Sequence, residues 1–250
     1  MTRSRSLTCR LLIGVVALAA LVAVSCSSSG DDESSSTTAA PGDTTQTTAS
    51  ASGELVGTFA IDAGTVDGDA VTGSTFRMVQ SGGTVADGPF VPNADSTASD
   101  QTYTLLVPGT DGGLITGAFQ PGPDPAFDAD GNALADAIIE PTPFFGVGFS
   151  ISTSDTDPES GDGVDEVTIT NDAGTLTGQT TAITAAYGDQ QFNQGAPKPD
   201  GSLPGETTEV TGTYDEATGA YTLDWASEIV GGSFDGFTGV WHLEGTFTAA

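Results

Sequence analysis

The stretch Phe237-Thr238-Gly239-Val240-Trp241-His242-Leu243-Glu244-Gly245-Thr246-Phe247 decides the fold class. Phe237, Gly239, Trp241, Leu243, Gly245 and Phe247 fall on one face of a period-two strand, and Thr238, Val240, His242, Glu244 and Thr246 on the other. Alternation of apolar and polar residues is the pattern of a half-buried strand, and its glycines are points where such a strand bends. Working outward, Tyr221, Leu223 and Trp225 alternate likewise, and Val210–Tyr214 precedes them across the hairpin turn Asp215-Glu216-Ala217-Thr218-Gly219. Further strands are predicted near Leu55–Ile61, Thr72–Gln80, Thr102–Val107, Leu114–Phe119, Ala137–Glu140, Phe144–Ser152, Val164–Thr170, Thr175–Tyr187 and Ile229–Phe234. No window carries a capped apolar stripe of helical period; Ala133–Ile139 has room for one helical turn.

A glycine followed two residues later by an aromatic recurs at Gly57/Phe59, Gly117/Phe119, Gly212/Tyr214, Gly219/Tyr221, Gly232/Phe234, Gly239/Trp241 and Gly245/Phe247. Both residues of a pair share a strand face, so a ring can cover the gap left by a glycine on the next strand while the glycine lets the sheet curve. The expected fold is all-β and antiparallel: a strongly curved β-barrel or a two-sheet β-sandwich of about 10–12 strands. Val56-Gly57-Thr58-Phe59 mirrors Glu244-Gly245-Thr246-Phe247, which predicts that the first and last strands lie side by side. Gly231-Gly232-Ser233-Phe234-Asp235-Gly236-Phe237-Thr238-Gly239-Val240-Trp241 resembles the final hairpin of barrels in the allene oxide cyclase and dirigent group, and for architecture that resemblance implies a barrel.

At the other end, Arg3, Arg5 and Arg10 precede the uncharged run Leu11–Val24. That run is shorter than the roughly 20 residues a membrane-spanning helix needs, and reads as the core of a signal peptide. The sequence Leu21-Val22-Ala23-Val24-Ser25-Cys26 resembles the lipobox of bacterial lipoproteins, with Ala23 where Leu is commoner. The resemblance implies cleavage before Cys26 and a diacylglyceryl group on its thiol, hence an extracytoplasmic protein anchored at the cell surface or in the periplasm. Two or more acyl chains hold stably where one holds only marginally. The alternative is a secretory signal with an incidental cysteine. The organisation expected is a leader over residues 1–25, a lipidated Cys26 with a Ser/Thr-rich linker over 26–53, and one all-β domain over 54–250. The linker holds no aliphatic residue larger than alanine and cannot build a core; as a flexible coil it spans roughly 30 Å.

The full chain carries a formal charge of −29. Removal of the leader would take three of the five basic residues and none of the 34 acidic ones, leaving Arg77 and Lys198 against 34 carboxylates, a net −32. Such a surface repels nucleic acid and anionic membranes, which are bound through Lys and Arg. With Cys9 in the leader and Cys26 lipidated, no disulfide is available, and stability is left to packing or metal. The partners expected are a membrane through the lipid anchor, a cell-wall or extracellular polymer, and no nucleic acid.

Asp128-Ala129-Asp130-Gly131-Asn132-Ala133-Leu134-Ala135-Asp136 places oxygen side chains at relative positions 1, 3, 5 and 9, a spacing that suits calcium. It resembles the calcium loops of integrin-type propeller repeats, which implies Asp128, Asp130, Asn132 and Asp136 as ligands with the Leu134 carbonyl. Ala133 stands where those loops carry a second glycine, and the propeller's repeats are absent. A second acidic cluster gathers Asp155, Asp157, Glu159, Asp162, Asp165 and Glu166. Turns are the competing use: seven Asp-Gly pairs begin at Asp67, Asp87, Asp111, Asp130, Asp162, Asp200 and Asp235, and such pairs make hairpin turns. A third use is adaptation to a saline habitat, since carboxylates hydrate well.

His242 is the sole histidine, on the strand face opposite Trp241, and no nucleophile-elbow pattern accompanies it, so it reads as a satisfied or exposed strand histidine. Zinc sites draw on several Cys or His, which the chain lacks. Lys198, between Pro197 and Pro199, reads as a loop residue poorly placed to lose its hydration. Two carboxylates about 5–10 Å apart suffice for a glycosidase, with Glu140, Glu228 and Glu244 nearest apolar segments. Trp225, Trp241, Tyr214 and Tyr221 either pack in the core or, if exposed, stack on sugars. The leading reading is a lipid-anchored β-domain with a non-catalytic binding or structural role, stabilised by calcium if the acidic loops hold it. A carbohydrate-binding module and a carboxylate hydrolase are the alternatives.

Overall fold

The structure, a computed structural model, describes residues 52–250. Cys26, the leader before it and the linker through Ala51 lie outside the described residues. Among the described residues no helix is long and apolar enough to cross a membrane.

The strands, in chain order, are β1 (Gly53–Glu54), β2 (Gly57–Ile61), β3 (Thr65–Asp67), β4 (Ala70–Thr72), β5 (Thr75–Thr84), β6 (Gly88–Phe90), β7 (Thr104–Leu105), β8 (Gly113–Thr116) and β9 (Thr142–Phe144). They continue as β10 (Val147–Thr153), β11 (Thr168–Asp172), β12 (Thr175–Gln179), β13 (Ile183–Tyr187), β14 (Gln190–Asn193), β15 (Thr208–Tyr214), β16 (Ala220–Glu228) and β17 (Thr238–Ala249). The main sheet runs β1-β11-β12-β15-β16-β17-β2-β8, is antiparallel throughout, and curves into a half-barrel. A second sheet, β14-β13-β10-β9, packs against it, and β3 and β4 form a separate hairpin.

Strand β17 is the axis of this arrangement. One of its edges pairs with β16 along nine residues, from Thr238↔Glu228 to Thr246↔Ala220. Its other edge is shared: Thr238–His242 pairs with β5, and Gly245–Ala249 with β2. The alternation expected from the sequence holds from Gly239 on, with Gly239, Trp241, Leu243, Gly245 and Phe247 buried and Val240, His242 and Glu244 only partly so, but not before it: Thr238 is buried and Phe237 only partly. The first long strand and the last do lie side by side: Phe59 is opposite Phe247, their ring centroids 4.7 Å apart.

Glycine makes that pairing close. A Cβ on Gly245 would sit 1.9 Å from the Ala60 carbonyl oxygen. Tyr221, directly across from Gly245 on β16, lays its ring edge-on against Phe59 at 4.9 Å and donates its hydroxyl to the Ala60 carbonyl at 3.1 Å. The ring thus covers the side-chain gap that the glycine leaves.

The core fills the space between the sheets. From the main sheet, Trp225 and Trp241 stack nearly parallel at 5.7 Å, and Phe76 meets Trp241 at 4.6 Å. From the second sheet, Phe149 meets Phe76 at 5.1 Å and Trp241 at 6.3 Å. The outer edge of β8 is occupied by the side chain of Gln120, whose Oε1 accepts the Ile115 N–H at 2.8 Å and whose Nε2 donates to the Gly113 carbonyl at 3.0 Å.

Several boundaries differ from the sequence reading. Ile229–Phe234 is no strand; Gly232–Phe234 forms a 3-10 turn, because Gly231 and Gly232 both take positive φ and leave the ladder. Ala137–Glu140 contributes one isolated bridge, Pro108↔Ile139, and no helical turn forms at Ala133–Ile139. Phe144–Ser152 breaks at the tight turn Phe145-Gly146, both residues left-handed, into β9 and β10. Thr175–Tyr187 breaks into β12 and β13, which belong to different sheets. These breaks and several two- and three-residue edge strands raise the count above the expected 10–12.

Gly245→Ala should cost about 3 kcal/mol or more in urea unfolding, because its methyl group collides with backbone and cannot be relieved by a side-chain rotation. Gly53→Ala, where nothing lies within 4 Å of the new Cβ, is the matched control and should be near neutral.

Candidate functional site

Beyond β14 the chain folds back as Gln194–Lys198 and carries the only lysine of the protein into the interior. Lys198 is 6 % exposed. Its Nζ donates to the Asn193 carbonyl at 3.0 Å, to Asn193 Oδ1 at 3.2 Å and to Ser227 Oγ at 2.8 Å, so each ammonium proton has an acceptor. The expectation of a hydrated loop lysine is therefore corrected. The Pro197-Lys198-Pro199 segment is a tight turn, with Lys198 N–H on the Ser202 carbonyl and Gly201 N–H on the Lys198 carbonyl, and it aims the side chain inward. Burial pushes the Lys198 ammonium down to about 8, against the opposing pull of Glu159, Asp157 and Glu228.

The second acidic cluster converges on the same place through one member. Asp157 is buried; its Oδ2 accepts from Asn193 Nδ2 at 2.6 Å, and its Oδ1 accepts the N–H groups of Glu159 and Ser160 at 3.0 and 2.7 Å. Asn193 thus stands between the ammonium and the carboxylate, bonded to both. Asp155, Asp162 and Asp165 stay exposed, with Asp155 Oδ1 accepting from Thr156 Oγ1. Glu159 sits exposed at the rim of a cleft of about 410 Å3 that Lys198, Pro199 and Val230 also line. Loss of hydration on its cleft side raises the Glu159 carboxyl, and Lys198 opposes the rise.

A serine hydroxyl beside a lysine amine is a pairing that can generate a nucleophile. Here Ser227 is fully buried, and its Oγ donates to the Gly195 carbonyl at 2.8 Å while accepting from Lys198. The contact is a cross-link between β16 and the segment after β14.

In the loop read for calcium, Asp128 Oδ1 accepts the N–H groups of Asp130 and Asn132, both at 2.9 Å, and Oδ2 accepts from Asn132 Nδ2 at 2.9 Å. Asn132 Oδ1 accepts the Gly148 N–H at 2.8 Å. These bonds, the Asn132 side chain first, hold the Asp128 carboxyl below its usual range. Leu134 donates its N–H to the Ala126 carbonyl, and the Asp136 carbonyl accepts from Thr110. Among the described residues no three His, Cys, Asp or Glu side chains gather into a group able to hold a metal ion. As folded, the loop is a turn capped by its own side chains.

A second cleft, about 380 Å3, opens on the outer face of the main sheet, with Val71, Arg77, Tyr103, Asp224, His242 and Glu244 in its walls. Asp224 and His242 are directly cross-strand. His242 Nδ1 donates to Asp224 Oδ1 at 2.7 Å, and Nε2 lies 3.5 Å from Glu244 Oε2. The Asp224 hydrogen bond raises the imidazole above its usual range, against partial desolvation. Glu244 is itself fixed, its Oε1 accepting the Gly73 N–H at 2.6 Å. The histidine is thus satisfied on the strand face, as its position in the sequence implies.

Of the four aromatic residues named for sugar stacking, Trp225, Trp241 and Tyr221 are buried and Tyr214 is partly buried. The tryptophans are coplanar, but the plane lies inside the core, with both indole N–H groups bonded to Gln194 at 2.9 and 3.1 Å. The groups that sequence reasoning missed are Lys198, Asn193 and Ser227. The one signal available was that the only lysine lies between two prolines in a domain crowded with carboxylates.

Replacing Lys198 with Met should cost about 2–4 kcal/mol in chemical unfolding, because buried acceptors lose their donor. For the outer cleft, the sign follows from the raised imidazole: protonated His242 gains its stabilisation fully below the unfolded pKa of about 6.5 and loses it as pH rises through the folded value. Asp224→Asn should therefore be less stable than the parent near about pH 6 and close to it near about pH 9, read by urea midpoints. No known family model matches the chain, and no curated protein or solved structure is similar to it.

Proposed function

We propose that this chain is a lipid-anchored, extracytoplasmic β-domain that works by binding or by structure and not by catalysis. The observation that carries the reading is how the fold spends its reactive groups. Every ammonium proton of Lys198 is donated within the interior, and the Ser227 hydroxyl beside it is fully buried. These groups join strands, so the pairing that could generate a nucleophile is used for cohesion.

The outer surface supports a binding role. Phe145 stands 53 % exposed on the β9–β10 turn at φ 51, a conformation that bulky residues seldom take. Phe145 and Gly146 form a two-residue hairpin turn, which takes positive φ at both positions and presents the ring to solvent. An acidic exterior carrying such a residue suits a neutral extracytoplasmic polymer better than a polyanion, which the carboxylates would repel. The anchor part of the proposal rests on Leu21–Cys26 and on the linker that follows.

Cys26→Ser tests the anchor. The variant should leave the membrane fraction, appear as soluble protein, and melt at the parent's temperature; retention in membranes would show the anchor reading to be wrong.

A further inference from the structure

We propose that the outer cleft holding Arg77 and His242 is a binding site for a small monocarboxylate. Arg77 is the only arginine of the described residues, and among those residues no carboxylate lies within 4.0 Å of it. Its guanidinium carbon lies over two rings, 3.3 Å from the Phe90 centroid and 4.4 Å from that of Tyr103. One terminal nitrogen donates to Thr102 Oγ1 at 3.0 Å, and the buried Nε has no partner. An arginine retained only for packing in so acidic a domain would be expected to close on a carboxylate, which matches its fork. Lys198 shows the alternative, with every donor satisfied inside the fold. Arg77 is instead held in place with no carboxylate on its fork; Asp100, which shares Thr102 with it, feels its charge only from a distance.

Register supplies the second cation. Arg77 lies across from Val240 and Thr75 across from His242 in the β5–β17 pairing, so Arg77 and His242 are diagonal neighbours on one sheet face. Such neighbours stand about 7–8 Å apart, within reach of long side chains. His242 Nδ1 is committed to Asp224, which fixes the ring. Nε2 lies 3.5 Å from Glu244 Oε2, at the long limit of a hydrogen bond, so a ligand oxygen would compete with Glu244 for its proton. A carboxylate between the two side chains would accept from both.

Charge and shape narrow the class. With His242 protonated, guanidinium and imidazolium offset Asp224 and Glu244, with Asp100 adding one further negative charge near Arg77, so the cleft is far less negative than the domain around it. A single negative charge is tolerated there better than a phosphate dianion. Val71 and Tyr103 give apolar wall to a volume of about 380 Å3, enough for an aromatic or branched acid. The inference concerns the folded domain and does not rest on the lipid anchor.

The test uses the purified protein and benzoate, with benzamide as the neutral isostere. His242 is the only histidine, so its imidazole Hε1 gives one unambiguous NMR signal. Benzoate should shift that signal saturably and benzamide should not; Arg77→Gln should weaken the benzoate affinity about tenfold or more. Should Arg77→Gln fail to fold, the Arg77 Nε–H resonance of the parent replaces it, and should move with the same affinity as His242. No saturable shift, an unchanged affinity in a folded Arg77→Gln, or a stationary Nε–H would each overturn the proposal. Tighter binding of inorganic phosphate than of benzoate would overturn the carboxylate assignment.

Discussion

One buried ammonium group fixes the two sheets to each other at a defined point. Lys198 bonds Asn193 at the end of β14 in the second sheet and Ser227 in β16 of the main sheet. The surrounding seam continues the same contact: Ser227 reaches the Gly195 carbonyl, and both tryptophan N–H groups end on Gln194. Hydrophobic contact is non-directional and would let two aromatic faces slide. A charged donor with three fixed acceptors does not, because any shift leaves a buried polar group unmet. The register between the sheets is thus set by polar atoms and filled by apolar ones.

Within the main sheet the corresponding constraint is the absence of side chains. Gly245 lets β2 approach β17 closely, and a Cβ on Gly57 would likewise come within 2.2 Å of the Thr248 carbonyl. Around these points the rings of Phe59, Tyr221 and Phe247 close the surface. Curvature and core packing are therefore one property: the glycines that allow the bend also leave the gaps that the rings occupy.

How far the sequence foretold this depended on the range of the interaction. Strand β17 was legible because alternation is a local pattern, and its pairing with β2 because both segments carry the same Gly-x-aromatic signature. The core position of Trp225 and Trp241 followed from the same alternation. Ile229–Phe234 misled because its apolar ends resemble a strand while Gly231 and Gly232 turn the backbone out of one. Lys198 was illegible for a different reason. Its acceptor Ser227 lies 29 residues away, and nothing local announces that a proline-flanked lysine will be buried. Arg77 was hidden likewise: its ring partners Phe90 and Tyr103 stand on other segments, brought over the sheet by β6 and β7. Asp128 caps its own turn, a use of the side chain that needs no distant partner, since Asn132 lies four residues on.

The side chain of Gln120 along β8 has a consequence for how copies of this protein meet. An uncovered strand edge offers a row of donors and acceptors on which another chain can extend the sheet. Gln120 answers two of those groups, the Ile115 N–H and the Gly113 carbonyl, from within the same molecule. It also donates to Asp111, which sets a carboxylate beside the edge. Crowded against one another, two molecules would find this border already closed and negatively charged, so that a high local density favours separate domains over a continuous sheet.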